Sequence, residues 1–439
     1  MGCFQAAYNV YGVLLTLSTA GLPLAMSRLI AQSRGRPRRQ RRIFHVALAL
    51  FLALGLVGSG VMLTFPRQLA GLLHNELAAP SIRVLAPALL AVCLLSAIRG
   101  YTQGQGQMLP TAVSQVVESA GKLVVGLGLT WYLLTVRGVS PEIGAAGAMA
   151  GVTVGSLLAL LVLTLRWLPS CMGSDTPPSR REVLGQLLKI GVPITLGAGG
   201  MSFITLLDQS VAMDALQSRL GLGLEEANRQ YGEYAFALTL FSLPPSFLYP
   251  ISVSLVPAIS ESRVLEDTEG IREKVATAFS VAAVITIPCS IGLHVLGGRV
   301  AALIYNAPKA GPSIETMSWA IFLLGLHQVS TGILQGLGKT KIPVINMIIA
   351  AASKVFLNWN LTPTLGIVGS SWATVADIGI AAILNLFFIK KYTGFSLELK
   401  QLGKTALAAV AMGAAVQGFL ALVPNWGAWS ILGGMAVAV

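Results

Sequence analysis

The sequence predicts an all-α polytopic membrane protein, built as two pseudo-symmetric six-helix lobes followed by C-terminal helices. Three observations carry that expectation. Hydrophobic residues make up 54% of the chain and charged residues only 11%, against about a quarter charged in soluble domains. A series of continuously apolar stretches reaches or exceeds the roughly 18 residues needed to cross a bilayer, with no strand-like alternation. The chain also repeats itself at an offset of about 232 residues.

The spans follow in order, each for a local reason. Ala6–Ile30 is apolar but interrupted by Gly21-Leu22-Pro23. Ile43–Phe65 follows a run of arginines, and Ile82–Tyr101 begins just past Pro80. Pro110–Leu134 carries Glu118 and Lys122, and Gly144–Leu168 carries Gly147, Gly151 and Gly155 at the four-residue spacing that lets helices approach closely. Leu184–Leu216 holds Asp208 and Asp214, and Tyr231–Ser260 is broken up by Pro244, Pro245, Pro250 and Pro257. Val275–Leu296, Ser313–Gln335, Pro343–Leu361, Gly366–Ile389 and Gly403–Val423 complete the set, with a stub from Trp426.

The repeat organises these spans. "RQLAGLLHN" (Arg67 to Asn75) returns as "GRVAALIYN" (Gly298 to Asn306), Pro80-Ser81-Ile82 as Pro312-Ser313-Ile314, and "YTQGQG" (Tyr101 to Gly106) as "ILQGLG" (Ile333 to Gly338). Lys122 returns as Lys354. The period is too long for a solenoid, so a duplicated lobe is the reading. It divides the chain into a lobe over 1–170, a linker over 171–183, a second lobe over 184–395 and trailing helices over 396–439. Leu184–Leu216 has no counterpart in the first lobe, so that lobe is expected to lack its opening helix, and the chain to be shortened at both ends.

Basic residues alternate with the loops. Arg34, Arg36, Arg38, Arg39, Arg41 and Arg42 crowd the first loop, and Arg180, Arg181, Arg263, Arg272, Lys274, Lys339, Lys341, Lys390 and Lys391 mark later ones. By the positive-inside rule these loops are cytoplasmic. The net charge of +12 is then topological, with membrane lipids rather than nucleic acid as partner.

Catalytic chemistry has no support. Cys3, Cys93, Cys171 and Cys289 show no paired spacing, and the four histidines lack metal-binding patterns. No nucleophile elbow or ATP-binding loop occurs, so the chain is expected to be no enzyme and to need no cofactor or metal. Ionisable residues inside spans are costly and therefore candidate sites. They are Arg28, Arg99, Glu118, Lys122, Asp208 and Lys354. Glu118 and Lys122 are spaced to neutralise each other on one helix. Arg28 and Arg99 also read as interfacial arginines. Lys354 has no acidic neighbour at helical spacing, and Asp377 is one partner for it.

"YNVYGVLLTLSTAGLPLAMSRLIA" (Tyr8 to Ala31), "IRGYTQGQGQMLPTAVSQVVE" (Ile98 to Glu118) and "SLVPAISES" (Ser254 to Ser262) resemble the polysaccharide-biosynthesis transporters of the MOP superfamily. The branch they resemble most is stage V sporulation protein B and the MurJ-type lipid II flippases. The resemblance runs over essentially the whole chain. It implies fourteen helices, two lobes in a V about a cationic cavity, and a multi-pass protein of the bacterial cytoplasmic membrane. The function it implies is export of an undecaprenyl-pyrophosphate-linked saccharide by alternating access. Such a flippase is monomeric and is driven by the membrane potential or a monovalent cation. Arg28 matches the family's basic position after the Leu-Pro step, whereas Tyr231–Ser260 lacks the basic residue expected in the family's eighth helix. Two other functions compete: a cation-coupled multidrug exporter of the same superfamily, and a non-transporting scaffold for cell-wall or spore-cortex synthesis.

Overall fold

The computed structural model describes residues 1–33, 35–166, 178–395 and 399–422. Arg34, Cys171 and the stub from Trp426 lie outside the described residues. Contacts divide the chain into one unit ending at Ser210 and a second beginning at Val211. Among the described residues eleven helices are long and apolar enough to cross a membrane, and one further bent pair makes a twelfth. These correspond one for one to the twelve full stretches read from the sequence.

The first unit opens with α1 (Gly2–Thr19) and α2 (Leu22–Ala31), two parts of one span. The break falls where Pro23 enters the first turn of α2, because proline brings no N–H and clashes with a continuing helix. The buried Gly21 N–H at the break donates to Thr195 Oγ1 at 3.1 Å. The unit continues through α3 (Pro37–Thr64), the short α4 (Pro66–Gly71), α5 (Ala79–Gly104), α6 (Leu109–Trp131), α7 (Pro141–Arg166) and α8 (Arg180–Asp214). Up to Ser210, α8 packs with this unit. Ser202 Oγ donates to Thr16 Oγ1 at 3.0 Å, Asn9 Nδ2 to Gln209 Oε1 at 2.6 Å, and Ser210 Oγ to the Leu72 carbonyl at 2.8 Å.

The second unit comprises α9 (Leu224–Ser246), α10 (Tyr249–Val264), α11 (Thr268–Tyr305), α12 (Gly311–Gly336), α13 (Lys341–Leu365), α14 (Ile367–Thr393) and α15 (Leu399–Leu422). Here α9 and α10 form the bent span, kinked by 42°. The kink follows Pro244-Pro245 and precedes Pro250, where ladder donors are missing.

The repeat is written into the packing of each unit. The most buried helix of the first is α5, with Ile82, Leu85, Leu89 and Leu95 wholly enclosed. Its counterpart in the second is α12, where Ile314, Met317, Ile321 and Ile333 are enclosed. Ser59 Oγ on α3 donates to the Ala86 carbonyl of α5 at 2.6 Å, and Ser290 Oγ on α11 donates to the Ser318 carbonyl of α12 at 2.6 Å. Gly100 and Gly104 let α5 lie against the Pro23 and Ser27 carbonyls of α2, while Gly332 and Gly336 let α12 lie against the Ser252 and Val256 carbonyls of α10. In this register Arg28 falls opposite Pro257, so the second bent span has no matching charge.

The glycine spacing in α7 does what close packing requires. A Cβ on Gly155 would stand 2.5 Å from the Glu118 carbonyl oxygen and 3.0 Å from the Lys122 nitrogen. Gly151 meets the backbone of Gly126 in the same way. Backbone-to-backbone approach is the usual source of helix association where lipid offers no hydrophobic drive.

The first loop is tighter than its composition suggests. Ser33 is buried and its Oγ donates to the Leu29 carbonyl at 2.8 Å, whereas Arg36 is exposed. A cysteine at Arg36 should therefore report the sidedness of this loop. In intact cells it is expected to resist a membrane-impermeant maleimide and to react after permeabilisation. Labelling from outside would reverse the orientation of every span.

Candidate functional site

Three of the sequence candidates meet in one place. Arg99 lies near the end of α5, and Glu118 and Lys122 lie one turn apart on α6. Arg99 Nη2 is 3.0 Å from Glu118 Oε2, and Lys122 Nζ is 3.1 Å from Glu118 Oε1, so the carboxylate bridges two cations with one oxygen each. Arg99 Nε donates to Ser114 Oγ at 2.8 Å, and Ser114 donates in turn to the Thr111 carbonyl at 2.8 Å. Gln103 Nε2 reaches Thr111 Oγ1 at 3.1 Å.

The cluster is a polar seam between two membrane helices. Arg99 and Gln103 are one turn apart on α5. Thr111, Ser114, Glu118 and Lys122 follow helical spacing along one face of α6. Glu118 stands about 14 Å from the start of α6 at 1.5 Å per residue, well inside the span. The Arg99 and Glu118 side chains are 14% and 13% exposed and the Lys122 side chain 35%. Arg99 is thus held inside by its partners rather than reaching for the interface. Lys122 is the most accessible member of the cluster. Two cations against one carboxylate leave a formal excess of one positive charge.

The other candidates stand apart. The Arg28 side chain is exposed on α2 and makes no ion pair among the described residues. Asp208 is buried on α8, beside the Gln209 that binds Asn9, and has interactions of its own. Lys354 is half-buried on α13 of the second unit and is likewise engaged, as is Asp377.

The second unit carries a polar seam at the equivalent place, with counterparts for neither the arginine nor the carboxylate. By the repeat Arg99 corresponds to Thr331, Ser114 to Asn346 and Glu118 to Ala350. Asn346 Nδ2 donates to Asn385 Oδ1 at 2.8 Å, and Asn385 Nδ2 reaches Ser330 Oγ at 3.0 Å and Thr331 Oγ1 at 3.3 Å. The two units share the location of the polar node, and of its three charged positions only Lys122 has a charged counterpart, Lys354.

Sequence reasoning did not single out Ser114, Thr111 and Gln103. Their signal was present as polar residues at helical spacing in otherwise apolar segments. It read the arginines of the first loop as topology with membrane lipids as partner, and did not show that several of them line one cavity with arginines of α8.

The sequence from residue 1 to 263 matches the polysaccharide biosynthesis protein family, and residues 232–360 match the MatE family. The chain belongs to the polysaccharide biosynthesis protein family. Among its relatives, the lipid II flippase MurJ of Bacillus subtilis is 24% identical over 96% of this chain and 82% of its own. Stage V sporulation protein B of the same organism is 25% identical over 91% and 79%. The fold is shared with an inward-facing MATE multidrug transporter of the MOP superfamily, at a TM-score of 0.74 and 19% identity over 92% of each chain. It is shared also with MurJ in an inward closed conformation, at 0.68 and 14% over 100% of this chain and 96% of that one. This member of the family is a multi-pass membrane protein with the all-α fold of those MATE and MurJ structures.

Proposed function

We propose that this protein carries a lipid-linked saccharide bearing an undecaprenyl-pyrophosphate-type headgroup from the inner to the outer leaflet by alternating access. The observation that carries this reading is the excess positive charge of the Arg99–Glu118–Lys122 cluster inside a span. A diphosphate needs cationic partners to offset its loss of hydration, and an accessible ammonium beside a buried ion pair supplies one. A cation-exporting relative would need the opposite excess. An inside-negative potential favours outward movement of an anion by roughly 2.3 kcal/mol per charge per 100 mV, so no nucleotide hydrolysis is required. Kinship with a lipid II flippase and a sporulation protein supports the same substrate class.

The test is complementation of a strain whose growth depends on a lipid-linked precursor flippase, with membrane abundance measured in parallel. Lys122→Ala is expected to lower transport roughly tenfold to a hundredfold, the worth of one charge-assisted contact of about 1.5–3 kcal/mol. Lys122→Arg should restore part of it. Arg28→Ala, in the same assay, reports whether the exposed arginine of α2 belongs to the substrate path. Full growth of the Lys122→Ala strain at normal abundance would make the cluster structural. Gradient-driven efflux of cationic dyes, without complementation, would favour the drug-exporter alternative.

A further inference from the structure

A cavity of about 810 Å³ opens within the first unit, at the starts of α3 and α8. Arg38, Arg41 and Arg42 line it from α3, and Arg180 and Arg181 from α8. Deeper along the same helices the lining turns apolar, with Val46 and Leu50 on α3 and Leu184 on α8. No carboxylate lines it among the described residues. The nearest on α8, Glu182, accepts instead from Gln186 Nε2 at 3.3 Å. Arg41, Arg42, Arg180 and Arg181 make no ion pair among the described residues.

This arrangement is electrostatically unfavourable as it stands. Arg38, Arg180 and Arg181 occupy the first turns of two long helices, where the helix dipoles are already positive and anions are preferred, and Arg41 and Arg42 follow in the second turn of α3. An occupant with negative charge at the rim and hydrocarbon below would relieve the repulsion and cover the floor. The geometry points to this cavity as a binding site for the two-phosphate headgroup of a membrane lipid, distinct from the Arg99–Glu118–Lys122 cluster. Four uncompensated guanidinium forks match several phosphate oxygens and more than one negative charge, beyond what a single phosphodiester offers. The step from arginine to aliphatic side chains along α3 follows the step from headgroup to chain in a bilayer. Two lipid classes share this chemistry, a polyprenyl diphosphate and a diphosphatidyl phospholipid.

The test is binding to the purified full chain in a neutral detergent, read as ligand-dependent thermal stabilisation. The probes are farnesyl diphosphate, a short-chain cardiolipin, farnesol and inorganic pyrophosphate. At least one of the two lipid probes is expected to bind about tenfold more tightly than farnesol or free pyrophosphate, because charge and chain contribute together. Arg42→Gln combined with Arg181→Gln should weaken that binding about tenfold or more. The exposed Lys189→Gln on α8, outside the cavity, should leave it unchanged. Leu184→Asn should weaken the lipid probes and spare pyrophosphate. Selective binding of farnesyl diphosphate identifies the polyprenyl source, and selective binding of cardiolipin the phospholipid source. Failure of both lipids, equal binding of pyrophosphate, or indifference to the arginine pair would overturn the site. None of these readouts involves transport, so the outcome is separate from that of the complementation test.

Discussion

Replacing Gly155 with leucine is expected to cause a large loss of folded protein. The hydrogen of Gly155 faces the Glu118 carbonyl and the Lys122 nitrogen of α6, and a Cβ would sit 2.5 and 3.0 Å from them. The clash is with backbone, which cannot rotate aside as a side chain would. Small-to-large changes in packed interiors cost about 1–3 kcal/mol, and more where nothing yields. Separating α6 from α7 would also move Glu118 and Lys122, because they lie on the segment that Gly155 touches. The measurement is membrane abundance together with thermal unfolding of the detergent-solubilised protein. Gly128→Leu is the control, since nothing lies within 4 Å of the position where its Cβ would be. Equal stability of the two variants would show that the helices are held elsewhere.

The second large effect is expected at Glu118. Among the described residues its carboxylate is the group that bridges Arg99 and Lys122, and Glu118→Ala would leave two cations facing each other in a span. Removing one partner of a buried ion pair costs about 3–5 kcal/mol, most of it the penalty of an uncompensated charge. Glu118→Ala should therefore destabilise more than Arg99→Gln combined with Glu118→Gln, in which the seam stays polar with only Lys122 charged. A double-mutant cycle read by thermal unfolding gives the coupling directly. Additive effects would mean that the 3.0 Å contact contributes nothing measurable.

Much of the framework was legible in the sequence because its causes are local. Hydropathy over a window of residues marks a span whatever it packs against, so the twelve full stretches correspond to those in the structure. The repeat was legible because both copies retain the same small and polar positions, and the paired Ser59 and Ser290 hydrogen bonds show what those positions do. The glycines of α7 were readable as a packing face because one spacing serves almost any close helix pair. Glu118 and Lys122 were readable as partners because they lie one turn apart on the same helix.

By itself, then, the sequence determined the helices, their duplication, the basic loops and the ionisable residues placed at cost inside the spans. Only the tertiary structure decided that Arg99 turns inward to Glu118 and Ser114, and that Asn346 and Asn385 meet in the polar seam of the second unit. It alone shows that α8 as far as Ser210 packs with the first unit, and that arginines far apart in the chain, at positions 38–42 and 180–181, share one cavity. The physical reason is rotation about the helix axis. In a bilayer the outer face of a helix is as apolar as its packed face, so hydropathy carries no mark of which side turns inward. That choice is made by close contacts and hydrogen bonds between helices, and those exist only once the chain has folded.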